Sequence, residues 1–314
     1  MIRVVITTTT LPDRYDSLAR MVRSLKAQTH PIDAIYLGLP KMASRLQQAY
    51  GPLPDQLVSM VTVVPMEVDY GPLSKLYGGV VSETDPATII ITVDDDVEYE
   101  PTLIGDLITW LTRYPDQAIG SSGVLLGKGF PFLANVNNSH TNINHLTGFD
   151  LTTDGRAVDV LCGFSAVGYR RKFFDQTLFD YSLTNPSLFF NDDLLISGWL
   201  SKQKIPRRCV PGIPPPKLVV AGPDGLSKQP LVFLNRFRAA VEEAQALGWY
   251  ASPENVEYSE TIGGRIGIGL LILAVLAILI VSFQKIARTK NPPQQWKILK
   301  NVSLLWSDLG SLPN

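Results

Sequence analysis

Three adjacent aspartates, Asp94 to Asp96, follow the apolar run IIITV at 89–93. Such a β-branched run is typical of a strand that is covered on both faces. Three carboxylates at its end repel one another unless positive charge lies among them. Two carboxylates, with water and phosphate oxygens, are how proteins hold Mg²⁺ or Mn²⁺ beside a nucleotide diphosphate. A solvated acidic turn is the alternative, but α/β sheets bind ligands at the ends of such strands, which favours a metal site.

The elements that must position these carboxylates alternate between strands and helices. Apolar runs predict strands, and helical periodicity or a Gly-Pro turn predicts helices, in the order strand 3–7, helix 16–28, strand 34–39, helix 42–50, strand 60–64, helix 68–79 and strand 89–93. This alternation implies right-handed crossovers. The predicted fold class is therefore α/β, with a mainly parallel sheet, at least through residue 96, flanked by helices.

Beyond residue 101 the pattern is less regular. It predicts helices at 102–113, 189–203 and 231–248, strands at 118–126 and 158–170, and loops at 127–156 and 206–230. The first loop is rich in Gly, Asn and Thr, and at this length a functional lid and a disordered segment are both open interpretations. The second is dense in Pro and Gly, which favours a loop.

Composition excludes some classes of protein. The 314 residues include 28 basic and 29 acidic side chains, so nothing in the overall charge predicts a nucleic-acid partner. The length suits one large domain with an appendage. Cys162 and Cys209 form no metal-binding spacing, and we expect both to be reduced because two cysteines make no disulfide framework.

An apolar stretch near the C-terminus predicts a membrane anchor. Residues 262–283 would span about 30 Å as a helix, the thickness of a hydrocarbon core. We therefore expect a domain at 1–250, a linker at 251–261, the span, and a short basic and polar tail at 284–314. The basic residues after the span favour a cytoplasmic tail, but the N-terminus shows no signal sequence. Giving the second point more weight, we expect a single-pass membrane protein whose N-terminal domain faces the cytosol.

Several motifs in a fixed order resemble a known superfamily. They are residues 8–14, GPLSK at 71–75, ITVDDDVEYEP at 91–101, GFSAVGYRR at 163–171 and NDDLLISGWL at 191–200. Together they resemble the GT-A fold glycosyltransferases, particularly family-2-like enzymes, over residues 1 to 205. The resemblance implies a Rossmann-like GT-A domain that binds a UDP- or GDP-sugar and transfers the sugar to a glycan, glycoprotein or glycolipid.

The resemblance also assigns roles to residues. Asp94 and Asp96 correspond to a DxD pair that binds Mn²⁺ or Mg²⁺ and the donor diphosphate, with Asp96 as the favoured metal ligand and Asp94 as a ribose or sugar contact. The other donor-side positions are Thr8, Thr10, Arg14, Gly71, Lys75 and Asp95. The acceptor-side positions are Gly163, Phe164 and Tyr169.

A second acidic pair, Asp192 and Asp193, begins the helix predicted at 189–203. Inverting members of the superfamily keep their catalytic base at this place, so the resemblance implies that Asp193 is the base and that Asp192 assists or holds the acceptor. Adjacent carboxylates have split pKa values, which suits proton transfer. The alternative interpretation is an ordinary helix cap.

Two departures from the superfamily leave details open. The second strand ends in Gly38, Leu39 and Pro40, where many relatives have an acidic residue that holds the nucleotide base. No histidine follows His145, so the late histidine ligand of many GT-A enzymes is missing.

Two alternative functions remain open. A sugar-phosphate nucleotidyltransferase would usually open with a Gly-rich loop after the first strand, whereas the loop here is Thr-rich. A membrane-tethered carbohydrate-binding or scaffolding protein without turnover is the other alternative.

Overall fold

The computed structural model of the chain describes residues 2–126, 144–147, 154–214, 216–218 and 230–250. In chain order its strands are β1 (Val4–Thr9), β2 (Ala34–Pro40), β3 (Met42–Ala43), β4 (Gln48–Ala49), β5 (Thr62–Met66), β6 (Ile89–Thr92), β7 (Val97–Glu98), β8 (Ala118–Gly120), β9 (Ser122–Leu125), β10 (Asn144–Thr147), β11 (Arg156–Ala157), β12 (Val160–Leu161), β13 (Val167–Arg170), β14 (Arg207–Cys209) and β15 (Lys217–Leu218). Its helices are α1 (Tyr15–Lys26), α2 (Asp55–Val58), α3 (Ser74–Ser82), α4 (Leu103–Arg113), α5 (Thr177–Thr184), α6 (Asp192–Lys202) and α7 (Pro230–Ala246).

The central sheet has eight strands in the spatial order β11, β14, β8, β13, β6, β1, β2 and β5. From β6 to β5 every neighbouring pair is parallel. β13 is antiparallel to both β6 and β8, and β14 is parallel to β8. The structure is therefore a mixed α/β fold whose sheet is parallel over the half built from residues 4–92, as the alternation of elements predicts.

Both faces of the sheet are covered by helices. Ile89 and Ile91 of β6 pack on one face with α1 and α4, whereas Ile90 packs on the other face with α3, α5, α6 and α7. All three isoleucines are fully buried. Successive side chains of a strand point to opposite faces, so the uninterrupted apolar run reflects burial on both sides.

Two local predictions are wrong. Residues 42–50 form the hairpin of β3 and β4 instead of a helix, and the segment 206–230 contributes β14 to the central sheet instead of being only loop. In addition, α5 lies in a region for which the sequence predicts no element. The strand predicted at 118–126 is divided at Ser121 into β8 and β9. The strand predicted at 158–170 is likewise divided, because a 3-10 helix at Gly163–Ser165 separates β12 from β13.

Most of the predicted loop at 127–156 and all of the predicted linker, membrane span and tail lie outside the described residues. Within the described part of the chain, no helix has the length and apolar character needed to cross a membrane.

Candidate active site

The predicted site residues gather at one edge of the sheet. β1 and β6 are parallel neighbours, so the polar segments at their carboxyl ends, residues 10–14 and 94–96, leave the sheet at the same edge. α3 begins just after the Gly71 turn, and α6 begins with Asp192 and Asp193. This is the edge at which open α/β sheets bind their ligands.

The three adjacent aspartates divide into one inward and two outward side chains. Asp95 is the inward one: Thr10 Oγ1 donates to its Oδ2 at 2.6 Å, and Arg14 Nη1 donates to its Oδ1 at 3.1 Å. Arg14 Nη1 also lies 3.3 Å from Asp96 Oδ2. The side chains of Asp94 and Asp96 are 26% and 23% exposed, whereas that of Asp95 is 9% exposed. The outer two can therefore reach a ligand.

Lys75 connects these aspartates to the second acidic pair. Its ammonium forms an ion pair with Asp94 and lies 2.8 Å from Asp192 Oδ2. The neighbouring Asp193 accepts a hydrogen bond from the backbone N–H of Gly163, with 2.8 Å between nitrogen and Oδ1. Side chains predicted on the donor side and on the catalytic side thus meet at one buried lysine.

Burial and mutual repulsion shift the titration of these groups. Burial raises the pKa of Asp193 well above its usual range, repulsion from Asp192 raises it further, and Lys75 opposes both. Burial alone would lower the pKa of Lys75, but attraction to Asp192, Asp94 and Asp193 raises it, so the ammonium is charged at neutral pH. Burial raises the pKa of Asp95 to about 6, against the attraction of Arg14 and the hydrogen bond from Thr10.

Tyr99 is a site residue that the sequence did not reveal. Its buried hydroxyl accepts a hydrogen bond from the backbone N–H of Asp94 at 3.0 Å and donates one to the carbonyl of Phe164 at 3.3 Å. It therefore ties the aspartate turn to the turn that contains Gly163. The sequence indicates only that Tyr99 lies five residues after Asp94. Both hydrogen-bond partners of its hydroxyl are backbone groups, and a sequence pattern does not predict such contacts.

The remaining predicted residues differ in how far they reach the site. Thr8 is buried and donates to the carbonyl of Val93 at 2.9 Å, so it joins the ends of β1 and β6. Gly71 adopts a φ of +64° in the turn before α3. On the acceptor side, Phe164 is 42% exposed, whereas Tyr169 is buried in the core.

Comparisons with known proteins find similarity in structure only. No family model and no curated protein match the chain. A crystal structure of S. aureus TarS is similar with a TM-score of 0.43 and 12% identity over 77% of this chain and 39% of that one. A second, of TarS residues 1–349, gives 0.41 and 12% over 77% and 65%. The chain thus spans less than two thirds of either structure, and likeness at this level assigns no family.

Within the described residues, no group of three or more His, Cys, Asp or Glu side chains forms a ready metal site. The expected set of protein ligands for the metal is smaller than that, since Mg²⁺ beside a nucleotide is commonly held by one or two carboxylates together with water and phosphate oxygens. The partly exposed carboxylates of Asp94 and Asp96, on either side of the buried Asp95, fit this chemistry. His140 and the side chain of His145 lie outside the description.

Proposed function

We propose that this protein is a glycosyltransferase that moves a sugar from a nucleotide-diphosphate sugar to a hydroxyl group of a glycan or glycolipid. The observation that carries the proposal is the meeting of two acidic groups, Asp94–Asp96 and Asp192–Asp193, around Lys75 at the edge where α/β sheets bind nucleotides. Glycosyl transfer needs both groups, one to neutralise the departing diphosphate and one to accept the proton of the acceptor.

On the donor side, Asp96 and Asp94 would hold Mn²⁺ or Mg²⁺ with the diphosphate of a UDP- or GDP-sugar. The cation would supply Lewis-acid stabilisation of the leaving diphosphate. Thr10 and Arg14 position these ligands indirectly, because both bind the buried carboxylate of Asp95, which lies between the two ligands in the sequence. Their contacts fix the turn in which the outer two carboxylates face solvent.

On the acceptor side, Asp193 is the proposed base of an inverting reaction. Its raised pKa makes it a stronger proton acceptor than an exposed aspartate, and catalytic groups are most effective when their pKa approaches the working pH. The Gly163 N–H orients the carboxylate. Phe164, which follows Gly163 and is 42% exposed, is the proposed apolar contact of the acceptor sugar.

The test uses the purified 314-residue chain. Its melting temperature is measured with UDP-, GDP- and CMP-sugars in the presence of Mn²⁺ or EDTA, because a ligand that binds only the folded state stabilises it. Sugar transfer to glycan acceptors is then assayed with each donor. We expect one donor class to raise the melting temperature in Mn²⁺ only, and Asp96→Ala to abolish both this shift and transfer.

Asp55→Ala is the matched control, because Asp55 is an exposed aspartate in the first turn of α2. The control should keep both the shift and the transfer. Absence of binding and of transfer with every donor would refute the proposal, and activity that survives Asp96→Ala would favour the carbohydrate-binding or scaffolding alternative. The membrane anchor at 262–283 and the cytosolic orientation of the N-terminal domain remain predictions from the sequence.

A further inference from the structure

Lys75 is held in place by the fold from two directions. Its side chain is 8% exposed, and its backbone carbonyl accepts a hydrogen bond from Thr7 Oγ1 of β1 at 2.7 Å. Thr7 Oγ1 in turn accepts from the N–H of Gly79, one turn later in α3, at 3.1 Å. The ammonium is therefore carried by a helix that is fastened to the central sheet.

The partners of Lys75 are carboxylates of the protein itself. The ammonium pairs with Asp94 at the end of β6 and lies 2.8 Å from Asp192 Oδ2 at the start of α6. Asp192 Oδ2 is buried, and the Lys75 ammonium is the cationic group at ion-pairing distance from it within the described structure. The charge on this oxygen is thus compensated by the lysine, and because an ammonium has three N–H donors, two carboxylate partners leave at most one donor for any other group.

We propose that Lys75 is a positioning residue, which holds the Asp192–Asp193 pair of α6 at a fixed position relative to Asp94 and does not contact the donor phosphates. This inference rests on the proposed function and deepens it, because it connects the donor side of the site to the base. It also replaces the donor-side contact that the resemblance assigns to Lys75.

The ion pairs of Lys75 also affect how readily Asp193 ionises. The charged and titratable groups that face Asp193 from the surrounding elements are Asp192, Lys75, Asp94, Cys162, Tyr169 and Tyr250. Lys75 is the cation among them, and it opposes the effects of burial and of Asp192 on the base. Without it the carboxylates repel one another, so Asp193 is displaced and becomes harder to ionise.

The first experiment separates bridging from phosphate binding. For Lys75→Met we expect kcat to fall roughly 100-fold, the scale of general-base catalysis, while the donor Kd changes by less than about threefold. The acid limb of the kcat profile should also move to higher pH. Lys41→Met is the matched control, because Lys41 pairs with Glu67 on the surface, and it should match wild type. A donor Kd weakened as much as kcat/KM, with kcat and its pH profile unchanged, would overturn the proposal.

The second experiment needs no transfer activity. Urea unfolding is compared for wild type, Lys75→Met, Asp192→Asn and the double variant, as a double-mutant cycle. We expect the double variant to unfold at a higher urea concentration than Lys75→Met alone, because it no longer buries the carboxylate that the lysine compensates. Additive effects of the two substitutions on the free energy of unfolding, or a double variant that is less stable than Lys75→Met, would refute the proposal that Lys75 connects Asp192 to Asp94. Absence of donor binding and transfer in wild type would instead refute the proposed function.

Discussion

The substitution Gly163→Ala tests whether the position of Asp193 limits turnover. A Cβ on residue 163 would lie 2.8 Å from Asp193 Oδ1 and 3.4 Å from Lys75 Nζ. The backbone at Gly163 is not in the left-handed region, so alanine is compatible with its conformation. The perturbation is therefore confined to the contact between the new methyl group and the carboxylate.

The geometry fixes the size of the effect. Ordinary contacts of a Cβ begin at 3.4 Å, so the carboxylate oxygen must retreat by about 0.6 Å and its hydrogen bond from the Gly163 N–H lengthens beyond the usual range. A hydrogen bond to a charged group contributes about 2 kcal/mol. Because a misplacement of about 1 Å in an active site can cost on the order of 100-fold in rate, we expect this displacement of the base to lower kcat roughly 10- to 30-fold. Folding stability changes less, because Gly→Ala also lowers the entropy of the unfolded chain.

Steady-state kinetics and urea unfolding of the variant measure these two effects separately. Gly105→Ala is the control, because a Cβ on this residue of α4 meets nothing closer than His30 Cβ at 3.9 Å, and its kcat should equal that of wild type. The reasoning is refuted if Gly163→Ala keeps full kcat while remaining folded, since the base would then tolerate the displacement that the new methyl group imposes.

Two further substitutions test the same site. Because the pKa of Asp193 is raised in the folded state, this carboxyl favours folding below its unfolded pKa, and the contribution is lost as the pH rises through the folded value. Asp193→Asn should therefore melt no lower than wild type at pH 8, with the difference vanishing near pH 4, while kcat falls by roughly two orders of magnitude or more; a melting temperature that drops at pH 8 would contradict this. Tyr99→Phe should lower the free energy of unfolding by about 1–3 kcal/mol, because the N–H of Asp94 and the carbonyl of Phe164 lose their shared partner. A urea midpoint equal to that of wild type would show that the hydroxyl is dispensable.

Elements that follow a strong hydrophobic period could be predicted from the sequence. β6 and α1 match their predicted places to within two residues, and the parallel pairing of β1, β2, β5 and β6 follows from the alternation of strands with helices. The first acidic group could be predicted because it follows the apolar run of β6. The second, Asp192 and Asp193, was predicted through the resemblance, because α6 is buried from Leu194 to Leu200 and has little amphipathic pattern.

The hairpin at 42–50 shows where local preference misleads. Its residues are mostly good helix formers, but an isolated helix this short is marginal, and distant contacts decide its structure. Ser44 donates its backbone N–H to Asp69 at 2.7 Å, and the Tyr50 hydroxyl donates to the carbonyl of Thr10 at 2.7 Å. β14 was missed for a related reason: it is a three-residue strand in a Pro-rich segment and gains its partner, β8, from far along the chain.

The charge balance at the site gives the physical reason to expect a cation. Five carboxylates, Asp94, Asp95, Asp96, Asp192 and Asp193, meet only the cationic side chains of Lys75 and Arg14 at ion-pairing distance in the described structure. Burial is the largest cause of the raised pKa values of Asp95, Asp96 and Asp193, and repulsion among the carboxylates adds to it. A nucleotide diphosphate would add further negative charge at the same edge. Without a divalent cation, protonation of Asp95, Asp96 or Asp193 would favour binding of the diphosphate, so a metal-dependent donor should lose affinity in EDTA more steeply at pH 8 than at pH 5.5.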